Sequence, residues 1–272
     1  MISVVVLTLN EASSLQRCLD SVAWCDDVLV VDSGSTDATV SIADGAGARI
    51  VVRKFDSFAG QRNFAMETGA FRHPWVLHLD ADEVVPAALR EELTALAGTA
   101  NPPFPVYRLP SRLIFMGKWL RHAGMYPAYQ VRFGQASELR FVDYGHGQRE
   151  VQPAGQVGTC IAALDHYNFS KGINDWFSRH LRYARAEAQQ SIAESGTALP
   201  WRQLWRSDAT QRRRALKQIA FRVPFRPLLR FLYVYIGKRG FLDGRAGLHY
   251  AAMLGVYQYF IDLNKRELSG RP

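Results

Sequence analysis

Short apolar runs alternate with stretches of helical periodicity along the first hundred residues. The apolar runs lie at residues 2–9, 27–32, 48–53 and 75–80, and nearly continuous runs of this kind are typical of parallel strands covered on both faces. The intervening pattern predicts helices over residues 15–22, from about residue 37 with Thr36 as its cap, and over residues 61–70 and 86–97. This order predicts a doubly wound, mostly parallel α/β sheet, whose ligands bind beyond the carboxyl ends of the strands.

The pattern changes after residue 105. Residues 106–166 carry shorter aromatic and β-branched runs broken by Gly and Pro, which predict a mixed or antiparallel extension of the sheet. An amphipathic helix is predicted over residues 173–192. Residues 246–261 contain no charged side chain, but these sixteen residues are fewer than the roughly 20 that a membrane-spanning helix requires. We therefore expect a sheet domain over residues 1–170 and a helical region over residues 171–272.

Composition narrows the class of protein. At 272 residues and 48% hydrophobic content the chain is able to bury a core, so disorder is excluded. Three cysteines without a Cys-x-x-Cys pair predict neither a disulfide framework nor structural zinc, and we expect a reducing, cytoplasmic setting. Because the apolar start of the chain has no charged leader and the length of a strand, we expect no signal peptide.

The positive charge is concentrated in one segment. The net charge of +8 favours an anionic partner, such as nucleic acid, phospholipid or a phosphorylated metabolite. Residues 201–240 contain eleven Lys and Arg against one acid, a net charge of +10, so the other 232 residues carry a net charge of −2. This distribution disfavours a uniformly basic coat, and we expect no nucleic-acid partner.

A pair of carboxylates closes the fourth predicted strand. Asp80 and Asp82 are separated by one residue, so both side chains point to the same face of an extended backbone. Such ligands suit Mg²⁺ or Mn²⁺, which takes further oxygens from water and a substrate diphosphate. The alternative is an acidic turn that caps the helix at Pro86. Polar residues at neighbouring strand ends favour the metal site, because they converge on the same edge of the sheet: residues 8–11, 32–37 and 61–63.

Several runs together resemble a known enzyme family. The runs TLNEASSLQRCLDSV, VVDSGSTD, GQRNFA and LDADE resemble the family 2 glycosyltransferases with the GT-A fold, in order and in approximate spacing. The later runs YPAYQVRF, LDHY and KRGFLDGRAG are similar to the branch that includes lipopolysaccharide core β-glucosyltransferases. The resemblance implies an inverting, metal-dependent transfer of a sugar from a nucleotide sugar, expected to be UDP-linked, to a hydroxyl of a lipid-linked glycan such as lipopolysaccharide core.

The resemblance also implies a role for particular residues. Nine positions are implied to bind the nucleotide sugar: Leu9, Glu11, Asp32, Gln61, Arg62, Asp80, Ala81, Asp82 and Arg132. The first three match nucleoside contacts, and the next two match a nucleotide-side pair. The D-x-D triplet matches the segment that holds ribose and the metal-bound diphosphate, with Asp82 and Asp80 as metal ligands. Arg132 is expected to face the diphosphate; the alternative is a strand-edge arginine paired with Glu138.

An inverting transfer also needs a general base, which removes the proton of the acceptor hydroxyl. Many relatives have a His-Glu pair in this part of the chain, whereas here His146 and Glu150 are separated. We expect Glu150 to be the base, with Asp143 and His146 as further candidates; the alternative is a surface glutamate beside Arg149. His166 is either a metal or acceptor contact or an ordinary hydrogen-bonded, partly buried histidine.

The basic segment suggests where the protein works. Its cations alternate with aromatic residues, a composition typical of elements that lie on a membrane surface. We expect peripheral contact through residues 201–261 with the inner face of the cytoplasmic membrane. An RNA surface, a solvated helical face or a buried helix over residues 246–261 are alternatives. Within the sheet domain, we expect residues 1–100 to bind the nucleotide sugar and residues 101–170 to bind the acceptor.

Three rival functions compete with this hypothesis. A nucleotidyltransferase would also use a parallel sheet and paired carboxylates, but residues 10–14 are not the Gly-rich, basic loop that a triphosphate requires. The same part of the chain lacks the G-x-G-x-x-G pattern of a dinucleotide-dependent oxidoreductase. A non-catalytic basic membrane- or RNA-binding protein is the rival from another class.

Overall fold

The computed structural model of the chain describes residues 1–144, 147–151, 156–194 and 225–270. These residues form two compact units. The sheet unit consists of Met1–Gly117 and the described residues of Tyr126–Ser170. The helical unit consists of Lys118–Met125 and the described residues from Lys171 onward. The predicted assignment of a donor half and an acceptor half to the sheet domain stays a prediction.

Four parallel strands alternate with three helices at the start of the sheet unit. The strands are β1 (Ile2–Thr8), β2 (Val28–Asp32), β3 (Arg49–Val52) and β4 (Trp75–Asp80). The helices are α1 (Leu15–Ser21), α2 (Thr39–Gly45) and α3 (Phe58–Thr68). The predicted strand–helix alternation is therefore confirmed.

The central strands are apolar along their whole length because helices cover both faces of the sheet. Val4 and Val6 of β1 pack in a core that includes Leu15 of α1. Val5, between them, packs in a second core that includes Ala65 of α3. Alternate residues of a strand point to opposite faces, so each face receives half of the run.

Two helix starts differ from the sequence prediction because side chains form local hydrogen bonds. Thr36 does not cap α2: its N–H donates to the side-chain oxygen of Asn10, and the helix begins at Thr39. Helix α3 begins at Phe58, three residues earlier than predicted, because the Ser57 hydroxyl accepts a hydrogen bond from the N–H of Gly60.

The remaining strands extend the sheet in mixed orientation. They are β5 (Glu83–Val84), β6 (Val106–Phe115), β8 (Ala128–Gln135), β11 (Val157–Thr159) and β12 (Leu164–His166). The order along the sheet is β3-β2-β1-β4-β8-β6-β12-β5, and β8 is antiparallel to both neighbours. The predicted mixed extension is confirmed. Helix α4 (Ala87–Gly98) follows β5, and the hairpin of β9 (Phe141–Tyr144) and β10 (Gly147–Glu150) is separate from this sheet.

The helical unit contains a short strand and three described helices. Strand β7 is Lys118–Trp119, and the helices are α5 (Gly172–Glu194), α6 (Arg226–Leu232) and α7 (Gly244–Leu268). A π-helical turn at Tyr233–Gly237 and a 3₁₀ turn at Gly240–Asp243 join α6 to α7. The uncharged run over residues 246–261 lies within α7. Within the described ranges, no helix is long and apolar enough to cross a membrane.

The run KRGFLDGRAG forms a tight junction inside the helical unit. The buried Asp243 carboxylate accepts hydrogen bonds from the N–H groups of His122 and Ala123, at 3.0 and 2.7 Å. Gly247 lies against Gly240 so closely that a Cβ atom at position 247 would overlap the carbonyl oxygen of Gly240. The run therefore has a structural role, which joins the segment 118–125 to the start of α7.

Gly247→Ala is expected to lower the free energy of unfolding by about 2 kcal/mol, because the backbone at Gly240 must shift to admit the methyl group. Thermal and urea denaturation of the full chain measure the effect. Gly237→Ala is the matched control, since a Cβ there meets only Tyr233 at 3.5 Å, an ordinary contact. Equal unfolding midpoints for the two variants would show that the junction is not tight.

Candidate active site

The loops that follow β1 and β2 are joined by hydrogen bonds. The Asn10 N–H donates to the Ser35 hydroxyl at 2.8 Å, and the Asn10 side-chain oxygen accepts from the Thr36 N–H at 2.8 Å. The Ala12 N–H donates to Asp37, and Asn10 has a positive φ of 53° that brings the two loops together. The runs TLNE and DSGSTD thus form one wall at the carboxyl edge of the sheet.

Asp32 lies within this wall and is fully buried. One carboxylate oxygen accepts from the hydroxyls of Thr8 and Ser35, and the other from the N–H groups of Gly34 and Ser35. Burial raises the pKa of Asp32, but the hydrogen bonds from Ser35 and Gly34 outweigh it and lower the pKa. Asp32 therefore shapes the loop as an ionised carboxylate, and its contact with a nucleoside stays a prediction.

The other residues expected on the nucleoside side lie near this wall. Leu9 is exposed, and the Glu11 carboxylate accepts a hydrogen bond from the Ser14 hydroxyl at 2.5 Å. Gln61 is buried at the start of α3, where its amide donates to the Arg53 carbonyl at 3.0 Å. The side-chain oxygen of Gln61 has no partner among the described residues, which is unusual for a buried polar group in a purely structural setting.

Asp80 lies at the end of β4 between two buried arginines. One of its oxygens accepts from Arg62 of α3 at 2.6 Å, and the other accepts from Arg132 of β8 at 2.5 Å. The Asp80 side chain is 29% exposed, whereas those of Arg62 and Arg132 are 1% and 3% exposed. Both guanidinium groups keep N–H donors that have no partner in the described part of the chain. This combination of buried cations and spare donors suits an anionic ligand at the sheet edge.

Glu83 completes this cluster, and sequence reasoning assigned it no role. It opens β5, is buried, and accepts hydrogen bonds from the Asp80 N–H at 2.9 Å and from Arg132 at 3.0 Å. Burial, together with the nearby Asp80 carboxylate, raises the pKa of Glu83, whereas the ion pair with Arg132 favours its ionised form. The sequence signal that could have identified Glu83 is its position: it is an acidic residue directly after the D-x-D triplet, followed by apolar residues. The alternative pairing of Arg132 with Glu138 is wrong, because Arg132 pairs with Asp80 and Glu83.

Asp82 lies beside His166 on the same edge. The Asp82 Oδ2 and His166 Nε2 atoms are 3.3 Å apart, and both side chains are partly buried. Strand β12 brings His166 there, because it pairs antiparallel with β5 so that His166 lies opposite Glu83. Burial lowers the pKa of His166, but the hydrogen bond to Asp82 and the surrounding carboxylates raise it to about 9. Ala81 points the other way, into the main core.

The residues at this edge fit a divalent cation that a ligand helps to hold. Asp82 offers an oxygen ligand, and His166 offers a nitrogen ligand once a cation displaces its proton, whereas both oxygens of Asp80 accept hydrogen bonds from arginines. No group of three or more His, Cys, Asp or Glu that could hold a metal occurs within the residues that the structure describes. Because Mg²⁺ commonly uses one or two protein ligands and completes its shell with phosphate and water, two protein ligands are sufficient.

The structure places two of the three base candidates on the β9–β10 hairpin. Glu150 lies opposite Phe141, and Asp143 lies opposite Gln148. Two hydrogen bonds between Asn63 of α3 and the Phe141 backbone hold the hairpin, and the Phe141 ring centre is 5.8 Å from the Arg62 guanidinium. Glu150 is therefore at the end of the hairpin nearer Arg62, although neither carboxylate belongs to the Asp80 cluster. His146 lies outside the described residues.

The comparisons with known proteins identify the family of the chain. A family model described as "Glycosyl transferase family 2" matches residues 3–145, more than half of the chain. The chain therefore belongs to glycosyl transferase family 2, and the expected family and GT-A fold class are confirmed.

Two similar proteins are named as glycosyltransferases, and one solved structure aligns along nearly the whole chain. The lipopolysaccharide core biosynthesis glycosyltransferase LpsC of Rhizobium meliloti is 27% identical, across 100% of this chain and 95% of LpsC. An uncharacterized glycosyltransferase of Rickettsia bellii is 41% identical over 101 residues, which are 37% of this chain and 34% of that protein. The crystal structure of S. aureus TarS 1–349 with UDP-GlcNAc covers 99% of this chain and 92% of its own, at 14% identity and a TM-score of 0.44.

Proposed function

We propose that the protein transfers a sugar from a nucleotide sugar, with UDP as the nucleotide, to a hydroxyl of a lipid-linked glycan, with inversion at the anomeric carbon. The observation that carries the proposal is the position of Asp80 between buried Arg62 and Arg132, next to the Asp82–His166 pair. The two buried arginines and the Asp82–His166 pair lie at one edge of the sheet, and together they suit the binding of a diphosphate with a divalent cation. The choice of UDP follows the family resemblance. The choice of acceptor is supported by the name of LpsC, which aligns along the whole chain.

The proposed donor site uses the wall and the cluster together. The Leu9 backbone, Glu11 and Asp32 bind the nucleoside, and Gln61 contributes from the start of α3. The diphosphate lies at the Asp80 cluster, where Arg62 and Arg132 stabilise the charge that develops as the glycosyl–phosphate bond breaks. Asp82, together with His166 after loss of its proton, would hold Mg²⁺ or Mn²⁺. The cation would supply Lewis-acid stabilisation of the diphosphate leaving group.

The proposed acceptor chemistry rests on Glu150. Its carboxylate accepts the proton of the acceptor hydroxyl, whose oxygen bonds to the anomeric carbon while the nucleoside diphosphate leaves from the opposite face. The hairpin position supports this assignment, because the two hydrogen bonds between Asn63 and the Phe141 backbone attach β9 to the helix that carries Arg62. Asp143 is nearer the hairpin turn and is the second candidate.

Contact with a membrane surface is proposed for the helical unit. Twelve of the 27 large apolar side chains that are exposed in the described residues lie between Phe225 and Leu268. Ile236, Phe241 and Leu242 are among them, on the two turns that join α6 to α7. Lys238 and Arg239 are exposed between them. Exposed apolar residues with cations between them suit binding to an anionic lipid surface. We propose that this surface is the inner face of the cytoplasmic membrane.

Replacing Lys238 and Arg239 with Glu is expected to weaken binding to vesicles rich in phosphatidylglycerol by at least about tenfold, since each cation contributes about 1 kcal/mol near an anionic surface. Cosedimentation measures the binding, with pure phosphatidylcholine vesicles as the uncharged reference. Reversal of exposed charge in the sheet unit, Arg90→Glu on α4, is the control. Unchanged binding of the double variant would remove these residues from the membrane contact.

The reaction itself is tested by incubating the full chain with a panel of nucleotide sugars, a divalent cation and a membrane lipid extract. The proposed function predicts release of a nucleoside diphosphate that depends on the extract. Release of pyrophosphate from nucleoside triphosphates would instead indicate a nucleotidyltransferase. No release from any donor, with intact vesicle or RNA binding, would support the non-catalytic alternative.

A further inference from the structure

Glu83 connects the parts of the active site that come from different elements. Its Oε2 atom accepts a hydrogen bond from the backbone N–H of Asp80, and its Oε1 atom accepts one from Arg132. The same Arg132 nitrogen also donates to the Asp80 carboxylate. Asp80, Glu83 and Arg132 therefore form a closed ring of hydrogen bonds, in which β4, β5 and β8 each supply one member.

The backbone of Glu83 holds a second functional pair in register. Glu83 lies opposite His166 in the antiparallel pairing of β5 with β12, and His166 contacts Asp82. The N–H of Tyr167 donates to the Asp82 carbonyl at 2.8 Å. This hydrogen bond continues the pairing of β12 with β5 as far as the D-x-D segment. One residue thus orients the arginine through its side chain and supports the Asp82–His166 pair through its backbone.

The stability of the fold does not explain why this ring is built from charged residues. Glu83 is 2% exposed and Arg132 is 3% exposed, and replacing a buried ion pair with apolar residues of similar size is often neutral or stabilising. Arg132 also keeps two buried nitrogen atoms, Nε and one of its terminal nitrogens, without a partner in the described residues. Buried donors without partners are costly and are concentrated at functional sites.

We propose that Glu83 is a positioning residue, which fixes the Arg132 guanidinium and the Asp80 backbone so that the cluster is preorganised for the donor diphosphate. This role rests on the proposed donor site. With Glu83 present, Arg132 is held by two carboxylates and keeps a single orientation. Without the Glu83 charge, Arg132 has Asp80 as its remaining carboxylate partner, and the pair closes on itself rather than facing a ligand.

Glu83→Gln is the test, because Gln retains the size of the side chain and one acceptor oxygen but loses the charge. We expect the KM for the nucleotide sugar and the Kd for UDP with Mn²⁺ to rise by about tenfold, since a charge-assisted hydrogen bond is lost. The KM for the acceptor is expected to stay within about twofold. Steady-state kinetics and calorimetry on the full chain measure these constants, and thermal denaturation reports the fold.

Asp27→Asn is the matched control. Asp27 is also a buried carboxylate of the sheet unit that pairs with an arginine, Arg49, and it precedes β2 at the amino edge of the sheet, away from the ligand edge. This variant is expected to lower the melting temperature without changing the KM for the donor or the Kd for UDP. If both variants lower the melting temperature and leave the Kd for UDP unchanged, Glu83 is structural only and the proposal is wrong.

Glu83→Asp keeps the charge and provides a second variant in case Glu83→Gln does not fold. We expect its Kd for UDP to exceed that of wild type, because the shorter side chain moves the carboxylate away from Arg132, with an unchanged KM for the acceptor; where Glu83→Gln folds, its Kd is expected to be higher still. A Kd equal to that of wild type, or a parallel loss of donor and acceptor affinity, would overturn the positioning role. If the wild-type protein binds no nucleoside diphosphate at all, the proposed function is wrong. If wild type and variant bind the nucleoside diphosphate equally, only the positioning role of Glu83 is wrong.

Discussion

Replacing Asp82 with Asn is expected to lower kcat for sugar transfer by about 10³-fold. Asp82 and His166 form the pair that suits a divalent cation, and the neutral amide is a much weaker ligand than the carboxylate. The leaving diphosphate then loses the charge stabilisation that the cation supplies. The fold is expected to persist, because Asn has nearly the same shape and the Asp82 side chain is only partly buried.

Initial rates at saturating donor, measured across a range of Mn²⁺ concentrations, check this prediction. The exposed carboxylate of Glu91 on α4 provides the control, since Glu91→Gln removes one negative charge from the sheet unit without touching the edge. Wild type and Glu91→Gln are expected to behave alike. A rate for Asp82→Asn within about threefold of wild type would remove Asp82 from the diphosphate site.

Glu150→Gln is expected to lower kcat by between about 10² and 10⁴, the range that a general base contributes. The acceptor hydroxyl keeps its proton in this variant, so the bond to the anomeric carbon forms slowly. The KM for the donor and the Kd for UDP are expected to be unchanged, since neither involves the hairpin carboxylates. Glu150 therefore separates chemistry from donor binding, whereas Asp82 affects both.

Asp143→Asn and His146→Gln are the comparison variants, because they replace the other candidate bases. We expect each to keep kcat within about fivefold of wild type. A large loss of kcat in Asp143→Asn, with little change in Glu150→Gln, would transfer the role to Asp143. Slow hydrolysis of the donor in the absence of acceptor provides a second readout. It is expected to persist in a variant that lacks only the general base, because the charged groups that bind the diphosphate are intact.

The parallel half of the fold is predictable because its pattern is local. Strand β4 matches the predicted residues 75–80, and α4 follows Pro86 as expected. The starts of α2 and α3 were wrong because they depend on side-chain hydrogen bonds across loops, such as the bond from Thr36 to Asn10. Periodicity of apolar residues carries no information on such bonds.

The candidate site is predictable where adjacent residues carry it. Asp80 ends β4 and Asp82 lies in the turn directly after it, so their closeness in the chain brings both to the same edge of the sheet, although Asp82 does not continue the strand as predicted. Glu83 and His166 could not be paired in advance, because they are 83 positions apart in the chain and an antiparallel pairing of two short strands brings them together. The two arginines on Asp80 come from α3 and β8, and only tertiary structure decides that Arg132 meets Glu83 rather than Glu138.

The later motifs acquire different meanings in the structure. The run LDHY supplies His166 to the Asp82 pair, so it belongs to the candidate active site. The run KRGFLDGRAG instead builds the junction around Asp243 and Gly247 in the helical unit. Sequence resemblance alone did not separate a ligand-facing motif from a packing motif. Of the strongly basic segment, the structure describes residues 225–240, whose exposed Lys238 and Arg239 support the proposed membrane contact.

The central claim is that the carboxyl edge of β1, β2 and β4 binds a nucleoside diphosphate together with a divalent cation. Calorimetric titration of the full chain with UDP, in the presence and absence of Mn²⁺, tests it most directly. We predict saturable binding of one UDP that strengthens at least about tenfold with Mn²⁺ in wild type and loses this dependence in Asp82→Asn. Binding of another nucleoside diphosphate in place of UDP would correct the nucleotide alone. No binding of UDP, GDP, ADP, CDP or TDP, with or without the cation, would contradict the account.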